Sequence, residues 1–223
     1  MKQLGGVRSL APEVALISGV ALLCAGALMN DPRVNGLSAT MLTTQAGLLC
    51  FAYAGATWHG GSARQGLGLV PPHRPLSLIA ALAAIGGTLL LSLGASFALE
   101  LSGAAADSAL ARVEKQLSTL QGPEIVYALA GMALLPALAE ELLFRGFLFG
   151  WLTARWGTSV GLIGSSCLFG AIHLDLAQGV AAAVLGLYLG GIRLRTGSVH
   201  APILCHAANN SLAVLAPHIL SFG

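Results

Sequence analysis

Three charges stand in the stretch "LAEELLFRGFLFGWL", residues 138–152, whose other members are leucine, phenylalanine, alanine, glycine and tryptophan. Glu141 and Arg145 are four apart, hence on one face of a helix and within reach of an ion pair. Glu140 points about 100° away from Glu141 around the same helix and is not served by that arginine in the same way. One carboxylate thus has a structural partner while its neighbour is left for chemistry. A carboxylate in a partly dry cavity holds a proton more readily than one in water, which suits it to act as a general base near neutral pH. The competing reading makes all three charges one buried salt-bridge cluster that locks two helices together.

Two later stretches add to this set. "FGAIH", residues 169–173, places Phe169 and His173 four apart on one helix face, and "HAANN", residues 206–210, does the same for His206 and Asn210. Taken singly, a histidine near a helix end is a satisfied core group, and an amide in an apolar helix joins it to a neighbour. Together, a glutamate, two histidines and an amide from three separate segments contain the parts for hydrolysis. They supply a base to deprotonate water, donors for a developing oxyanion and a group to protonate the leaving amine. No serine or cysteine occurs in a recognised nucleophile motif, so water is the expected attacking group. The same residues are also normal zinc ligands, and a catalytic zinc keeps one position open for water. The H-E-x-x-H signature of many zinc proteases is absent.

The elements that must position these residues are apolar. Of 223 residues, 56% are hydrophobic and only 9% charged, against roughly 25% charged in ordinary soluble domains. Apolar runs recur near 14–29, 37–58, 76–99, 124–152, 158–174, 178–192 and 199–216, and a membrane-spanning helix needs about 20 mostly apolar residues. The expected fold is all-α, a polytopic membrane helical bundle of about seven transmembrane helices, within a range of about six to eight. It forms a single domain over 1–223, with the catalytic motifs concentrated in 136–212. Abundant glycine and alanine suit close helix packing in lipid. The first run, preceded by Lys2 and Arg8 and ending near "CAGAL", has the alternative reading of a cleaved signal peptide.

Lysine and arginine collect in short cytoplasmic loops. With the N-terminus inside, the inner segments hold Lys2, Arg8, Arg64, Arg74, Arg155, Arg193 and Arg195, and the outer ones Arg33, Arg112 and Lys115. This places the C-terminus outside. On that orientation Glu140 and His173 fall at or beyond mid-membrane toward the outer face, with His206 nearer the inner end of its span. The Gly- and Pro-rich segment 59–75 reads as an inner loop. In 106–122, Leu110, Val113, Leu117 and Leu120 recur at helical spacing, which suits a short interfacial helix that covers the bundle or gates it.

Other classes of partner are disfavoured. Cys24, Cys50, Cys167 and Cys205 all lie in apolar runs without a C-x-x-C pair, so neither a disulfide framework nor a thiolate zinc site is indicated. A scattered net charge of +2 offers no basic stripe for nucleic acid. Ionisable groups inside spans also mark ion pathways. A transporter built from inverted repeats would, however, break helices in both halves, whereas here the charges gather in the second.

"EELLFR", "FGAIH" and "HAANN", as E-E-x-x-x-R, F-x-x-x-H and H-x-x-x-N in that order on late spans, resemble the CAAX-processing and bacteriocin-processing intramembrane protease family, CPBP. The specific likeness covers about 140–210, and the "GLGLVPP" loop at 66–72 is family-like too. The resemblance implies that Glu140 activates the hydrolytic water with help from His173. It implies that His206 and Asn210 bind the scissile carbonyl and its oxyanion, that Glu141 with Arg145 supports the site, and that no metal is needed. It further implies a membrane-anchored protein or peptide substrate in the lipid bilayer. The Ala-, Gly- and Leu-rich composition suits a bacterial inner membrane, and the compact chain is similar to sorting members such as myxosortases, which remove C-terminal sorting helices from surface proteins.

Overall fold

The computed structural model describes residues 36–58, 61–103 and 109–220. The apolar run at 14–29, its signal-peptide reading and the charges of Lys2, Arg8 and Arg33 lie outside those residues. The other six runs are all helical, and no strand occurs among the described residues. Helix α1 spans Gly36–Thr57, followed by a single turn, α2, at Ala63–Gly66. Helix α3 is Leu78–Leu101, and α4 is the short Ala109–Leu117. Helix α5 runs continuously over Pro123–Trp156. Helices α6, α7 and α8 are Thr158–Ala171, Leu176–Thr196 and His200–Leu220.

By length and composition α3, α5 and α7 can each cross a membrane, so the chain is a polytopic helical membrane protein. Helices α1 and α8 have similar lengths, 22 and 21 residues, but carry Gln45 in the one and His206, Asn209 and Asn210 in the other. Helix α6 has only 14 residues, about 21 Å at the α-helical rise and short of the roughly 30 Å hydrocarbon core. It ends in a turn in which Leu174 takes φ 55°. Asp175 Oδ1 then accepts from Gln178 N at 2.8 Å and caps the start of α7.

Helix α5 is not uniform. It widens to π geometry over Leu129–Leu134 and again over Leu142–Leu148, leaving an α segment, Leu135–Glu141, between them. Pro136 explains the first widening: it has no N–H to donate, and its ring crowds the carbonyl one turn earlier. The second covers Arg145, and π segments of this kind recur at functional sites.

Small residues set the closest crossings. A Cβ on Gly170 of α6 would collide with the Gly179 carbonyl of α7, and one on Gly146 with the Leu67 carbonyl. Helix α3 is attached along one narrow line, where Ala84 and Thr88 are buried and Tyr188 Oη donates to Ala84 O at 3.2 Å. Helix α4 lies against the bundle: Leu117 is buried with Val113 and Leu120 beside Ala128, Ala133 and Val214.

The level of α8 is not what an even set of spans would give. Thr196, Ser198 and Val199, at the α7–α8 turn, are all 1% exposed or less. The loop after α2 closes beneath them: Val199 N donates to Gly68 O and His73 N to Thr196 O. Helix α8 therefore starts inside the fold. His206, only about 9 Å along α8, is lifted to the level of Glu140, which lies about 24 Å from the end of α5 by helical rise. The depth difference expected between these residues is removed by that buried turn.

Candidate active site

Glu141 and Arg145 are the innermost charges of the molecule, both 0% exposed, with Arg145 Nη1 donating to Glu141 Oε1 at 2.8 Å. The guanidinium lies over the Phe169 ring, 4.3 Å from its centroid. Gly186 of α7 makes room for it, since a Cβ there would come within 2.8 Å of Arg145 Nη2. Isolated charges so deep would be prohibitive, and pairing with hydrogen bonding is the condition for keeping them. Even so, Arg145 Nε and Nη2 and Glu141 Oε2 are buried without a hydrogen-bond partner.

His206 reaches this pair from α8. Its Nδ1 donates to Glu141 Oε1 at 2.9 Å, while its Nε2 faces Glu140 Oε2 at 3.8 Å. One imidazole thus spans two neighbouring glutamates that diverge around the helix. Glu140 differs from Glu141 in being reachable, with 12% of its side chain exposed. Its other oxygen, Oε1, accepts from Gln45 Nε2 of α1 at 3.5 Å.

Phe169 is the hub of the cluster. Its ring meets those of His173 and His206 edge to face at 5.2 and 5.8 Å, and that of Phe144 at 5.3 Å. Both histidines are therefore aligned on one phenyl ring, which also lies against the Arg145 guanidinium. His173, in the turn that ends α6, donates from Nδ1 to the Phe169 carbonyl at 2.9 Å. That bond leaves Nε2 as its accepting nitrogen. Asn210, half-buried one turn beyond His206, accepts at Oδ1 from Asn209 Nδ2 at 3.3 Å, which leaves its own NH2 to donate.

The cluster accordingly joins Glu140, Glu141, Arg145, Phe169 and His206 in direct contact. His173 is tied to it through Phe169, and Asn210 lies on the His206 side of α8. Two contributors were missed in the sequence. Gln45 is a lone amide within an apolar run, a signal of the same kind as Asn210. Arg193, counted above as an inner-loop charge, is a half-buried residue in the last turn of α7, and its Nε donates to the Arg145 carbonyl at 3.2 Å. A carbonyl within a π segment lacks the regular i+4 donor, and Arg193 supplies one. Among the described residues no group of three or more His, Cys, Asp and Glu side chains is arranged to hold a metal ion.

Residues 122–212 match the family model of the type II CAAX prenyl endopeptidases, Rce1-like. The matched residues take in α5, α6, α7 and the part of α8 with His206 and Asn210, hence all three motifs that carried the resemblance to the CPBP family. An uncharacterised 24.3 kDa protein of Escherichia coli is 31% identical over 98 residues, 42% of this chain and 45% of that protein. The chain thus matches less than half the length of this curated relative. No solved structure matches the chain.

Proposed function

We propose that the chain is an intramembrane endopeptidase that hydrolyses a peptide bond in or next to a membrane segment of a protein substrate, with Glu140 as general base. The observation that carries this reading is the contrast between the adjacent glutamates. Glu141 is sealed and held by Arg145 and His206, whereas Glu140 keeps 12% of its side chain exposed, accepts from the Gln45 amide and has His206 Nε2 at 3.8 Å. The Rce1-like match of residues 122–212 supports the reaction class.

In this mechanism a water molecule lies against Glu140 and the accepting Nε2 of His173. Glu140 takes one proton as the water oxygen bonds to the scissile carbonyl carbon. The resulting oxyanion is held by Asn210 Nδ2 and by His206 Nε2, which must carry a proton to donate. The competent His206 is then an imidazolium between two carboxylates, oriented by the Nδ1 bond to Glu141. Glu140 returns its proton to the amine as the C–N bond breaks, so base and acid are one residue. Glu141, Arg145 and Phe169 position these groups without touching the substrate.

The ends of α1, α5 and α7 and the starts of α3, α6 and α8 share one face, which carries Arg64, Arg74, Arg155, Arg193 and Arg195. The opposite face has Glu100, Glu124 and Asp175 together with Glu114 and Lys115. The arginine-rich face is the cytoplasmic one in this reading, and the membrane a bacterial inner membrane. The substrate is a membrane-anchored protein, and removal of a C-terminal sorting helix is the specific task that a compact chain of this kind would perform.

The test is terminal-peptide mass spectrometry of host membrane and surface fractions, comparing wild type with Glu140→Gln at matched protein levels. Proteins that keep an uncleaved hydrophobic segment only in the variant support the reading and identify the substrate. Matching profiles, in a host where deletion still has a phenotype, would replace it by a binding or transport role. Activity of the purified protein that survives strong chelators argues against zinc, and stoichiometric zinc lost on substitution of Glu140 or His173 argues for it.

A further inference from the structure

Gln45 is an amide in the middle of "TTQAGLLCFAYAGA", residues 43–56, and it is buried to 7% exposure. Polar side chains at such depth are retained where they have a task. Its Nε2 donates to Glu140 Oε1 at 3.5 Å across 95 residues of sequence, and its Oε1 is buried with no hydrogen-bond partner. An ionised carboxylate only accepts hydrogen bonds, so the amide must turn its NH2 to Glu140 and its oxygen away from it.

We infer that Gln45 positions Glu140 for proton transfer from the attacking water; the inference rests on the peptidase reading above. Each atom of the Gln45–Glu140–His206 line then has one task. Gln45 Nε2 holds Glu140 Oε1, which leaves Oε2 facing His206 Nε2. When the water attacks, one O–H bond breaks and its proton passes to Glu140 while the new C–O bond forms. The other hydrogen stays on oxygen. Gln45 lies in α1, outside residues 122–212, so the matched residues do not by themselves orient the base: α1 completes the site.

The rival account is that Gln45 merely ties α1 to α5. The two differ in what is lost with the amide. Gln45→Met keeps the length and packing of the side chain without its polar atoms. Gln45→Asn keeps the amide but withdraws it by one methylene, and serves if the Met variant does not fold. Leu48→Ala, one turn along α1 in the core, is the packing control. The probe is the peptide spanning the cut found in the Glu140→Gln comparison, reconstituted with full-length protein in vesicles.

A displaced reacting group costs on the order of 100-fold. The expected result is a kcat lowered about 10- to 100-fold in Gln45→Met, less in Gln45→Asn, with KM and the thermal midpoint close to wild type. Gln45→Met combined with Glu140→Gln should be no slower than Glu140→Gln alone. Leu48→Ala should lower the thermal midpoint and leave kcat of the folded protein unchanged. A folded Gln45 variant with wild-type kcat overturns the inference, as does one in which the midpoint falls or KM rises while kcat holds. If Glu140→Gln itself cleaves normally, the peptidase reading fails and this inference with it; a normal Gln45→Met beside an inactive Glu140→Gln removes the inference alone.

Discussion

Helices α3 and α5 are both long and apolar enough to cross a membrane, yet they are used in opposite ways. Along α3 the large side chains face outward: Ile79 is 80% exposed, Leu90 71% and Leu101 74%, and only Ala84 and Thr88 are buried. Along α5 every residue from Glu141 to Phe149 is buried, charges included. Helix α3 meets lipid, where nothing could satisfy an ion, and it carries one charge, Glu100, at its very end. Helix α5 is surrounded by α1, α6, α7 and α8, whose polar atoms and aromatic faces allow it to hold two carboxylates and a guanidinium. The capacity to span therefore does not imply equal roles; the number of protein neighbours decides whether a span can carry chemistry.

The sharpest way to break this comparison is at its most reactive point. Glu140→Gln should lower the rate of substrate cleavage by about 10²- to 10⁴-fold, the usual share of a general base, without changing the amount of folded protein. Preserved cleavage at matched expression would reduce α5 to scaffold, like α3. The next largest effect is expected at the sealed pair. Arg145→Met should destabilise by about 3–5 kcal/mol, because it leaves Glu141 buried and unpaired. Arg145→Met with Glu141→Gln should recover part of that loss in thermal unfolding, and strict additivity of the two changes would deny that they act as a pair.

Glycines sharpen the contrast further. Gly186→Ala sets a methyl group against Arg145 Nη2 and Ser166 and should cost about 1–3 kcal/mol, the range for overpacking a filled core. Cleavage should fall with it, since the guanidinium it displaces supports Glu141. Gly94→Ala on α3 meets nothing within 4 Å. It should be neutral or stabilising by up to about 1 kcal/mol, the helix-propensity difference between the two residues. A Gly94→Ala variant as damaging as Gly186→Ala would show that α3 has a protein partner on its outer face.

Much of this was legible in the sequence. The period and length of the apolar runs required helices, and six runs are helices whose limits agree to within a few residues, because burial in lipid forces every backbone group to pair within its own segment. The pairing of Glu141 with Arg145 followed from their spacing, since residues four apart share a helix face. The alignment of Phe169 with His173 followed likewise. The types of the other polar residues showed that some cavity had to exist, because an apolar span does not keep such groups without one.

What no spacing could supply was the relation between spans. That His206 meets Glu140 and Glu141, and that Gln45 reaches Glu140 from 95 positions away, depends on how helices of different length are set against one another. The buried α7–α8 turn raises α8, the π segment at Leu142–Leu148 turns α5, and Arg193 enters the fold to take the carbonyl that segment releases. These are consequences of packing. Sequence periodicity fixes which residues share a face; only the tertiary structure decides the height and rotation at which two faces meet, since both are set by contacts between residues distant in the chain.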